Sequence, residues 1–256
     1  MLLPRTVATP DTAARLLARS PNRRGPVVMR QRWQHLLFLH WHVQPRRIQR
    51  TLPPGLTVDT FNGEAYVGIT PFFMRNVRLS GTPALPWFSF FLELNVRTYV
   101  FDQTSTPGVW FYSLDCNRLW AALGARVLGA LPYYLAEMHA EPAEWIKYSC
   151  RRRGTSETAR FRHRATGANR QALMESLEFF LLERYYLFAY RRRTRTLLRG
   201  QVAHVPYDLR DVELAEFSIL PAQIGGFGEI SRPPDHACLV DGLDVNIFAH
   251  EKVVSR

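Results

Sequence analysis

The sequence predicts a single α+β domain built mainly from antiparallel strands. Short runs rich in β-branched and aromatic residues recur along the chain, separated by turns that contain Gly, Pro or Asn. Residues 90–101 alternate between polar and apolar side chains, as a strand with two unlike faces does. Residues 108–136 read as a strand followed by a helix, and a chain of 256 residues can bury one substantial core.

The composition narrows the possible classes of function. Hydrophobic residues make up 46% of the chain and aromatic residues 12%, which is ordinary for a globular protein. The formal net charge of +11 raises the question of nucleic-acid binding. The arginines fall in many short clusters, however, and no recognition helix, zinc finger or RNA-binding motif accompanies them. We therefore expect a solvated basic surface and no specific nucleic-acid partner.

Cysteine usage and hydropathy indicate the compartment. Cys116, Cys150 and Cys238 are odd in number and lack metal-binding spacing, so we expect free thiols in a reducing compartment. No apolar run reaches the length of a membrane span, and the N-terminus lacks a secretory apolar region. These features predict a cytoplasmic protein without a membrane partner, and no motif calls for a metal or another cofactor.

The N-terminal residues 1–28 read as an arm that precedes the domain at residues 29–256. Residues 12–18 carry a short helical pattern with Asp11 as its N-cap, and prolines surround it. We expect this helix to dock on the domain. Residues 33–43 follow as a strand buried on both faces, because their apolar character is nearly continuous.

Two histidines in that strand have the spacing of metal ligands. His40 and His42 fall on the same strand face, together with Leu36 and Phe38. No third ligand presents itself by spacing, so structural or hydrogen-bonded histidines are the preferred interpretation.

A hairpin and a loop are expected next. Residues 58–61 and 64–70 flank Asn62-Gly63, a pair that tolerates the positive φ values of a type I′ turn. Residues 71–87 are rich in proline and aromatic residues, which favours an irregular rim or lid over a regular element.

The strand at residues 90–101 carries the most informative polar face. Period two places Glu93, Asn95, Arg97 and Tyr99 on one side and apolar residues on the other. A carboxylate, an amide, a guanidinium and a phenol along one face can lie in solvent or line a polar cavity. Both interpretations remain open on the pattern alone.

Residues 108–136 predict a strand, a cap and a helix in that order. The strand covers residues 109–114, and Asp115 follows as a plausible N-cap. Helical spacing then relates Leu119, Leu123, Val127 and Leu128, and Pro132 ends the helix.

The C-terminal half is again rich in predicted strands. Residues 145–153 and 158–164 form one expected hairpin, and residues 187–193 and 196–204 form a second pair. Residues 172–186 are too densely apolar for a free surface helix, so part of this segment should be covered. In the last fifty residues, 238–240 and 245–248 each predict a short strand.

Several motifs resemble the acetoacetate decarboxylase superfamily. LDCN at 114–117, GAR at 124–126 and LPYY at 131–134 are similar to that family's LDN, GR and YPKK motifs. SLEFFLLERYY at 176–186 and GQVAHVPY at 200–207 resemble the YqjF-like branch, the DUF2071 proteins. The resemblance covers roughly residues 29–207. It implies a barrel or cone of mainly antiparallel strands with helices packed outside.

The same resemblance assigns candidate site residues. Tyr133 and Tyr134 occupy the positions of the family's lysine pair, so a Schiff base cannot form there, because it requires a primary amine. Glu93 lies near the position of a pocket glutamate, which makes it the candidate acid/base and favours the polar cavity. The candidate substrate-binding residues are Arg97, Asn95, Tyr133, Tyr134 and His204.

Two classes of function remain open. One is a pocket for a small anionic or carbonyl-bearing molecule, with an unidentified lyase-type or isomerising reaction. The other is a non-catalytic ligand-binding or interaction protein on the same scaffold. A pairing of Cys116 with His139 or His204 is conceivable for nucleophilic catalysis, but a buried inert thiol is far more common. The sequence leaves a homo-oligomer open.

Overall fold

We analysed a computed structural model of the chain, which describes residues 7–20, 25–118, 130–228 and 230–253. Within these ranges the helices are short. They are α1 (Thr12–Arg19), α2 (Pro45–Gln49), α3 (Leu177–Leu182) and α4 (Leu220–Ile224). None of the described helices is long and apolar enough to cross a membrane.

Strands make up most of the described structure. In chain order they are β1 (Val27–Val43), β2 (Leu56–Val58), β3 (Ala65–Leu79), β4 (Phe91–Asp102), β5 (Pro107–Cys116), β6 (Tyr133–Glu141), β7 (Ile146–Arg152), β8 (Ala159–Arg170), β9 (Tyr186–Arg191), β10 (Thr196–Ala203), β11 (Leu209–Glu216), β12 (His236–Phe248) and β13 (Glu251–Lys252). The predicted mainly β class with few helices is confirmed.

All of these strands belong to one sheet. Its order is β13-β10-β9-β5-β6-β7-β8-β11-β12-β1-β3-β4-β2, with additional pairings of β4 with β5 and of β10 with β12. The β4–β5 pairing therefore closes the middle of this order into a ring of hydrogen-bonded strands. The ladders are antiparallel except for those of β5 with β6 and β9, which are parallel.

Strand β1 carries two hydrophobic clusters on its two faces. Leu37, Leu39 and Trp41 belong to one cluster, whereas Leu36 and Phe38 belong to the other. Alternation of side chains across the strand produces this division. The predicted burial of β1 on both faces is thereby confirmed.

The N-terminal helix forms as predicted and docks on the domain. Asp11 is its N-cap, and one carboxylate oxygen accepts a hydrogen bond from the Ala14 amide at 2.8 Å. Arg15 is buried and pairs with Asp59 at 2.8 Å. Gln201 of β10 donates to the carbonyl oxygen of Ala18 at 3.2 Å, so both ends of α1 are held.

The turn at Asn62-Gly63 is confirmed, but the hairpin around it is only partly correct. Both turn residues have positive φ, 51° and 84°, and Phe61 pairs with Glu64 in an isolated bridge. The strand before the turn, β2, pairs with β4 instead of β3. A tight turn fixes the local reversal of the chain, and the partner of the short strand is decided by packing.

The predicted loop at residues 71–87 was wrong over its first half, because β3 continues to Leu79. Pro71 lies inside the strand and pairs in register with Leu94 of β4. The ladder of β3 with β1 is interrupted at this point, between the pairs that include Phe73 and Ile69. A proline is tolerated at such an irregularity, because no hydrogen bond is lost there.

The predicted N-cap role of Asp115 was also wrong. Asp115 is part of β5, is buried, and pairs with Leu94 of β4 and Tyr134 of β6 in the ladders. Its carboxylate binds a guanidinium, so it is not available to cap a helix. The helix predicted around Leu119, Leu123, Val127 and Leu128, and the GAR motif, lie outside the described residues.

The C-terminal half confirms both predicted strand pairs, β7 with β8 and β9 with β10. Residues 172–186 contain only the short α3, and all four residues from Phe179 to Leu182 are buried, as their apolar density predicted. The two short strands near the C-terminus are one continuous strand, β12, which pairs with β1, β10 and β11. Strand β11 was not predicted.

Candidate functional site

Glu93 lies on β4 in an almost completely buried position. The exposed fraction of the residue is 3%. The Tyr133 hydroxyl donates to a Glu93 carboxylate oxygen at 2.9 Å, and the Tyr148 hydroxyl donates to the Glu93 backbone carbonyl at 2.8 Å. Strands β6 and β7 therefore each direct a phenol at this residue of β4.

Burial changes the protonation of Glu93. Desolvation raises the pKa of Glu93 from 4.5 to about 7, against the lowering effect of hydrogen bonds from Tyr133 and Asn95. The charge of Asp115 is a smaller contribution to the same increase. Because its pKa lies near neutrality, this carboxyl can both donate and accept a proton.

The two tyrosines at the expected lysine positions face different surroundings. Tyr133 contacts Glu93, and burial raises its pKa well above the usual value. Tyr134 is 36% exposed, and the Arg152 guanidinium lies over its ring at 4.2 Å. Consecutive residues of β6 point to opposite faces of the sheet, so the structure brings Tyr133 to Glu93 and places Tyr134 elsewhere.

Arg152 also binds the buried Asp115. Its Nε and Nη2 atoms donate to the two carboxylate oxygens at 2.7 and 2.8 Å. Burial raises the pKa of Asp115, and the hydrogen bonds and charge of Arg152 oppose that effect. This two-point ion pair holds β5 to β7 across the intervening strand β6.

Arg97 is the second charged group on the polar face of β4. It is 8% exposed, and its guanidinium lies 5.0 Å from the Phe38 ring centre and 5.6 Å from that of Tyr99. Its Nε and Nη2 atoms have no hydrogen-bond partner, and no carboxylate among the described residues forms an ion pair with it. The Oδ1 atom of Asn95, two residues earlier, is buried without a partner as well.

A line of hydrogen-bonding groups lies beside Arg97. The Tyr99 hydroxyl is 2.7 Å from Nε2 of His40, and Nδ1 of His40 is 2.9 Å from Nδ1 of His236. His40 is fully buried, and desolvation lowers its pKa well below the usual value. His42, expected on the same face, is exposed, and its Nδ1 lies 3.0 Å from a carboxylate oxygen of Asp235.

His204 lies between aromatic rings near the same region. Its ring centre is 4.7 Å from that of Tyr185 and 4.6 Å from that of Tyr207. Its Nδ1 is 2.7 Å from the Val205 carbonyl oxygen, which can only accept, so the proton is on Nδ1. The pKa of His204 is lowered to about 4, chiefly by desolvation and to a smaller extent by the charges of Arg19 and Arg97. Its buried Nε2 therefore carries no hydrogen, and it has no hydrogen-bond partner among the described residues.

The cysteines lie buried in this fold. Cys116, Cys150 and Cys238 form no disulfide among the described residues, and burial raises the pKa of Cys150 and of Cys238. Such thiols are poor nucleophiles. No group of three or more metal-ligand side chains comes together in the part of the chain that the structure describes.

Sequence reasoning correctly grouped Glu93, Asn95 and Arg97 on one buried face, but it missed Tyr148 and His236. Tyr148 contacts Glu93 through a hydroxyl 55 positions away in sequence, and His236 contacts His40 across 196 positions. Residues so far apart carry no common local pattern. Only the pairing of β1 with β12 brings His40 opposite His236.

Comparison with known proteins gives the following relations. Residues 30–244 match the DUF2071 family, described as an uncharacterised conserved protein. The chain is 37% identical over 198 residues to the uncharacterised protein YqjF of Bacillus subtilis strain 168. The aligned residues cover 76% of this chain and 80% of YqjF.

Solved structures show the same fold at low identity. An acetoacetate decarboxylase-like enzyme from Sphingomonas wittichii RW1 superposes with a TM-score of 0.63 and 15% identity, over 90% of this chain and 95% of that one. The enduracididine biosynthesis enzyme MppR complexed with pyruvate gives a TM-score of 0.61 and 14% identity, over 90% and 91% of the two chains.

Proposed function

The chain belongs to the DUF2071 family of uncharacterised proteins, and from that premise we propose that it binds a small carboxylate-bearing carbonyl compound between Arg97 and Glu93. The fold neighbours support this ligand class, because MppR, which shares the fold, is complexed with pyruvate. The ring of strands and the polar face of β4 support a closed barrel or cone that encloses the ligand.

One observation carries the proposal, namely the buried guanidinium of Arg97, whose Nε and Nη2 atoms have no hydrogen-bond partner. A buried cation without a partner is costly, and an arginine presents a planar fork that matches two oxygens of a carboxylate. The rings of Phe38 and Tyr99 flank the guanidinium and limit its contact with water. A bound carboxylate satisfies Nε and Nη2 together, which no described side chain does.

Glu93 and Tyr133 supply acid/base chemistry at the other end of the site. Arg97 lies four positions after Glu93 on β4, so their Cα atoms are about 13 Å apart along the strand. Both side chains are long enough to reduce this gap to the size of a small organic acid. A carboxyl with a pKa of about 7 and a hydrogen-bonded phenol suits proton transfer in a lyase-type or isomerising reaction.

The proposal excludes a Schiff-base mechanism. The chain contains two lysines, Lys147 and Lys252, and both side chains are exposed, whereas Glu93 is buried. We expect no covalent adduct by intact mass after incubation with acetoacetate and borohydride. An adduct that maps to either lysine contradicts this part of the proposal.

Thermal unfolding with two matched ligands tests the binding proposal. We expect pyruvate to raise the melting temperature and acetone, which lacks the carboxylate, to have no effect. Arg97→Lys should reduce the pyruvate effect, because a point charge replaces a planar fork. Arg75→Lys is the matched control, since Arg75 also lies over a phenylalanine ring, 4.9 Å from Phe73. An unchanged pyruvate effect in Arg97→Lys contradicts the assignment.

A non-catalytic ligand-binding protein on this scaffold is the alternative. Pyruvate binding without any turnover, together with unaltered binding in Glu93→Gln, favours that alternative. A loss of turnover in Glu93→Gln with retained binding favours the enzyme.

A further inference from the structure

A line of closely spaced polar groups leads from the Arg97 site toward the surface. It begins at the Tyr99 hydroxyl, continues through His40 and His236 with the distances given above, and reaches Glu178 of α3. Nε2 of His236 lies 3.5 Å from Oε1 of Glu178, which is a charge contact and not a hydrogen bond, because this nitrogen has no hydrogen-bond partner among the described residues. The exposed fraction rises along it, since His40 is fully buried whereas the side chains of His236 and Glu178 are 11% and 21% exposed.

The outer carboxylate favours one position for each proton in this line. The negative charge of Glu178, 3.5 Å away, favours a hydrogen on Nε2 of His236, and a neutral His236 then carries no hydrogen on Nδ1. Because the two Nδ1 atoms face each other, the hydrogen between them belongs to His40. Nε2 of His40 therefore carries no hydrogen and accepts a hydrogen bond from the Tyr99 hydroxyl.

The charges around the line are compatible with neutral histidines. His40 faces Arg97 and His236, and both of these groups oppose a positive charge on it. His236 faces Glu178, which favours its protonation, and Arg170, which opposes it. Arg170 also binds Glu178 at 2.6 Å and so holds the outer carboxylate in place.

We propose that Tyr99, His40, His236 and Glu178 form a proton relay that removes a proton from the ligand at Arg97; this rests on the function proposed above. The ligand's C–H bond next to the carbonyl breaks, its electron pair remains on the ligand as an enolate, and Arg97 offsets the charge. The C–H proton moves to the Tyr99 oxygen, while the Tyr99 hydroxyl proton moves to Nε2 of His40. The Nδ1 proton of His40 moves to His236, and the Nε2 proton of His236 moves to Glu178.

Gly68 of β3 leaves the space that the inner part of this relay occupies. A Cβ atom at residue 68 would lie 3.0 Å from Cδ2 of His40, 3.3 Å from its Nε2 and 3.4 Å from the Tyr99 hydroxyl. Glycine at this position thus lets the imidazole and the phenol meet at 2.7 Å. A histidine with only a packing role in the core needs no further polar contacts to His236 and Glu178.

Nitrogen NMR of the ligand-free protein tests the relay independently of any ligand. With ¹⁵N-labelled histidine we expect Nδ1 of His40 to be protonated, its Nε2 to be bare, and an N–N coupling to join His40 to His236. The coupling should persist in Tyr99→Phe and vanish in His236→Gln. A protonated Nε2 on His40, or no coupling in the wild type, overturns the relay whatever the protein binds.

Exchange of the pyruvate methyl protons in D₂O tests the chemistry. We expect exchange above the protein-free rate, and a rate lower by about 100-fold at saturating pyruvate in Tyr99→Phe and His236→Gln, with the pyruvate-induced thermal shift retained. His42→Gln, on the exposed end of β1, should exchange at the wild-type rate. A wild type that is not stabilised by pyruvate contradicts the proposed function, whereas binding with an unaltered exchange rate in Tyr99→Phe, or with no exchange at all, overturns the relay.

Discussion

Glu93 and Arg97 show how two charged residues on one strand face acquire different properties. The carboxyl of Glu93 accepts a hydrogen bond from the Tyr133 phenol, and desolvation still raises its pKa to about 7. The guanidinium of Arg97 is buried, and its Nε and Nη2 atoms have no hydrogen-bond partner. Glu93 can therefore change its charge during a reaction, and Arg97 can hold an anion.

The raised pKa of Glu93 predicts a pH-dependent effect of Glu93→Gln on stability. The unfolded glutamate ionises near pH 4.5, whereas the folded one keeps its proton up to about pH 7. The stability that Glu93 contributes is therefore full below pH 4.5 and falls as the pH rises to about 7. We expect the free energy of unfolding of Glu93→Gln, relative to wild type, to increase by about 3 kcal/mol between pH 4 and pH 8.

Urea denaturation at several pH values measures this difference. Glu141→Gln is the matched control, because Glu141 is an exposed glutamate on the neighbouring strand β6. We expect the control to show little change with pH. A pH-independent difference between Glu93→Gln and wild type contradicts the raised pKa.

At the scale of elements, the ion pair of Asp115 with Arg152 joins three strands. The side chains come from β5 and β7, and the guanidinium lies over Tyr134 of β6. Removal of one partner from such a pair leaves a buried charge without compensation, which is strongly destabilising.

Arg152→Met should therefore lower the free energy of unfolding by about 2 kcal/mol, a value reduced from the fully buried case because Arg152 is partly exposed. The adjacent residue gives the control, since Arg151 pairs with the exposed Glu137. Arg151→Met should have little effect, because surface ion pairs contribute little. Equal effects of the two substitutions in urea denaturation would refute the structural role of the pair.

The sequence predicted elements well where a local signal exists. Asp11 and Asn62-Gly63 fix a helix start and a turn through interactions within a few residues. Pro71 and Asp115 misled the interpretation, because their places in β3 and β5 depend on a ladder irregularity and on a distant arginine. For the site, strand parity grouped Glu93 with Arg97, but the relay depends on a contact between β1 and β12 that no local pattern encodes.

At the scale of the whole molecule, α1 is joined to the domain by a buried charge cluster. Asp59 is fully buried and binds Arg15 of α1 at 2.8 Å and Arg184 at 2.7 Å. Desolvation opposes the ionised form, yet the two arginines keep the pKa of Asp59 below its usual value. The stability that Asp59 contributes is therefore present above pH 3.8 and is lost as the pH falls through its lower folded pKa.

Arg15→Met should shift the midpoint of acid unfolding to higher pH, because Asp59 then loses one of its two cations and takes up a proton more readily. Circular dichroism across an acid titration measures the midpoint. Arg19→Met, an exposed position at the end of the same helix, should leave the midpoint nearly unchanged. An unchanged midpoint in Arg15→Met would show that the cluster does not hold α1.

Native mass spectrometry of the purified protein tests the central claim most directly, because it detects what occupies the site without a choice of ligand. We predict an additional mass that corresponds to a small organic acid, present in wild type and in Arg75→Met and absent in a folded Arg97→Met or Arg97→Lys variant. A wild-type protein without any bound small molecule, or an Arg97 variant that retains the same mass, would contradict the assignment of Arg97 as the anion-binding residue.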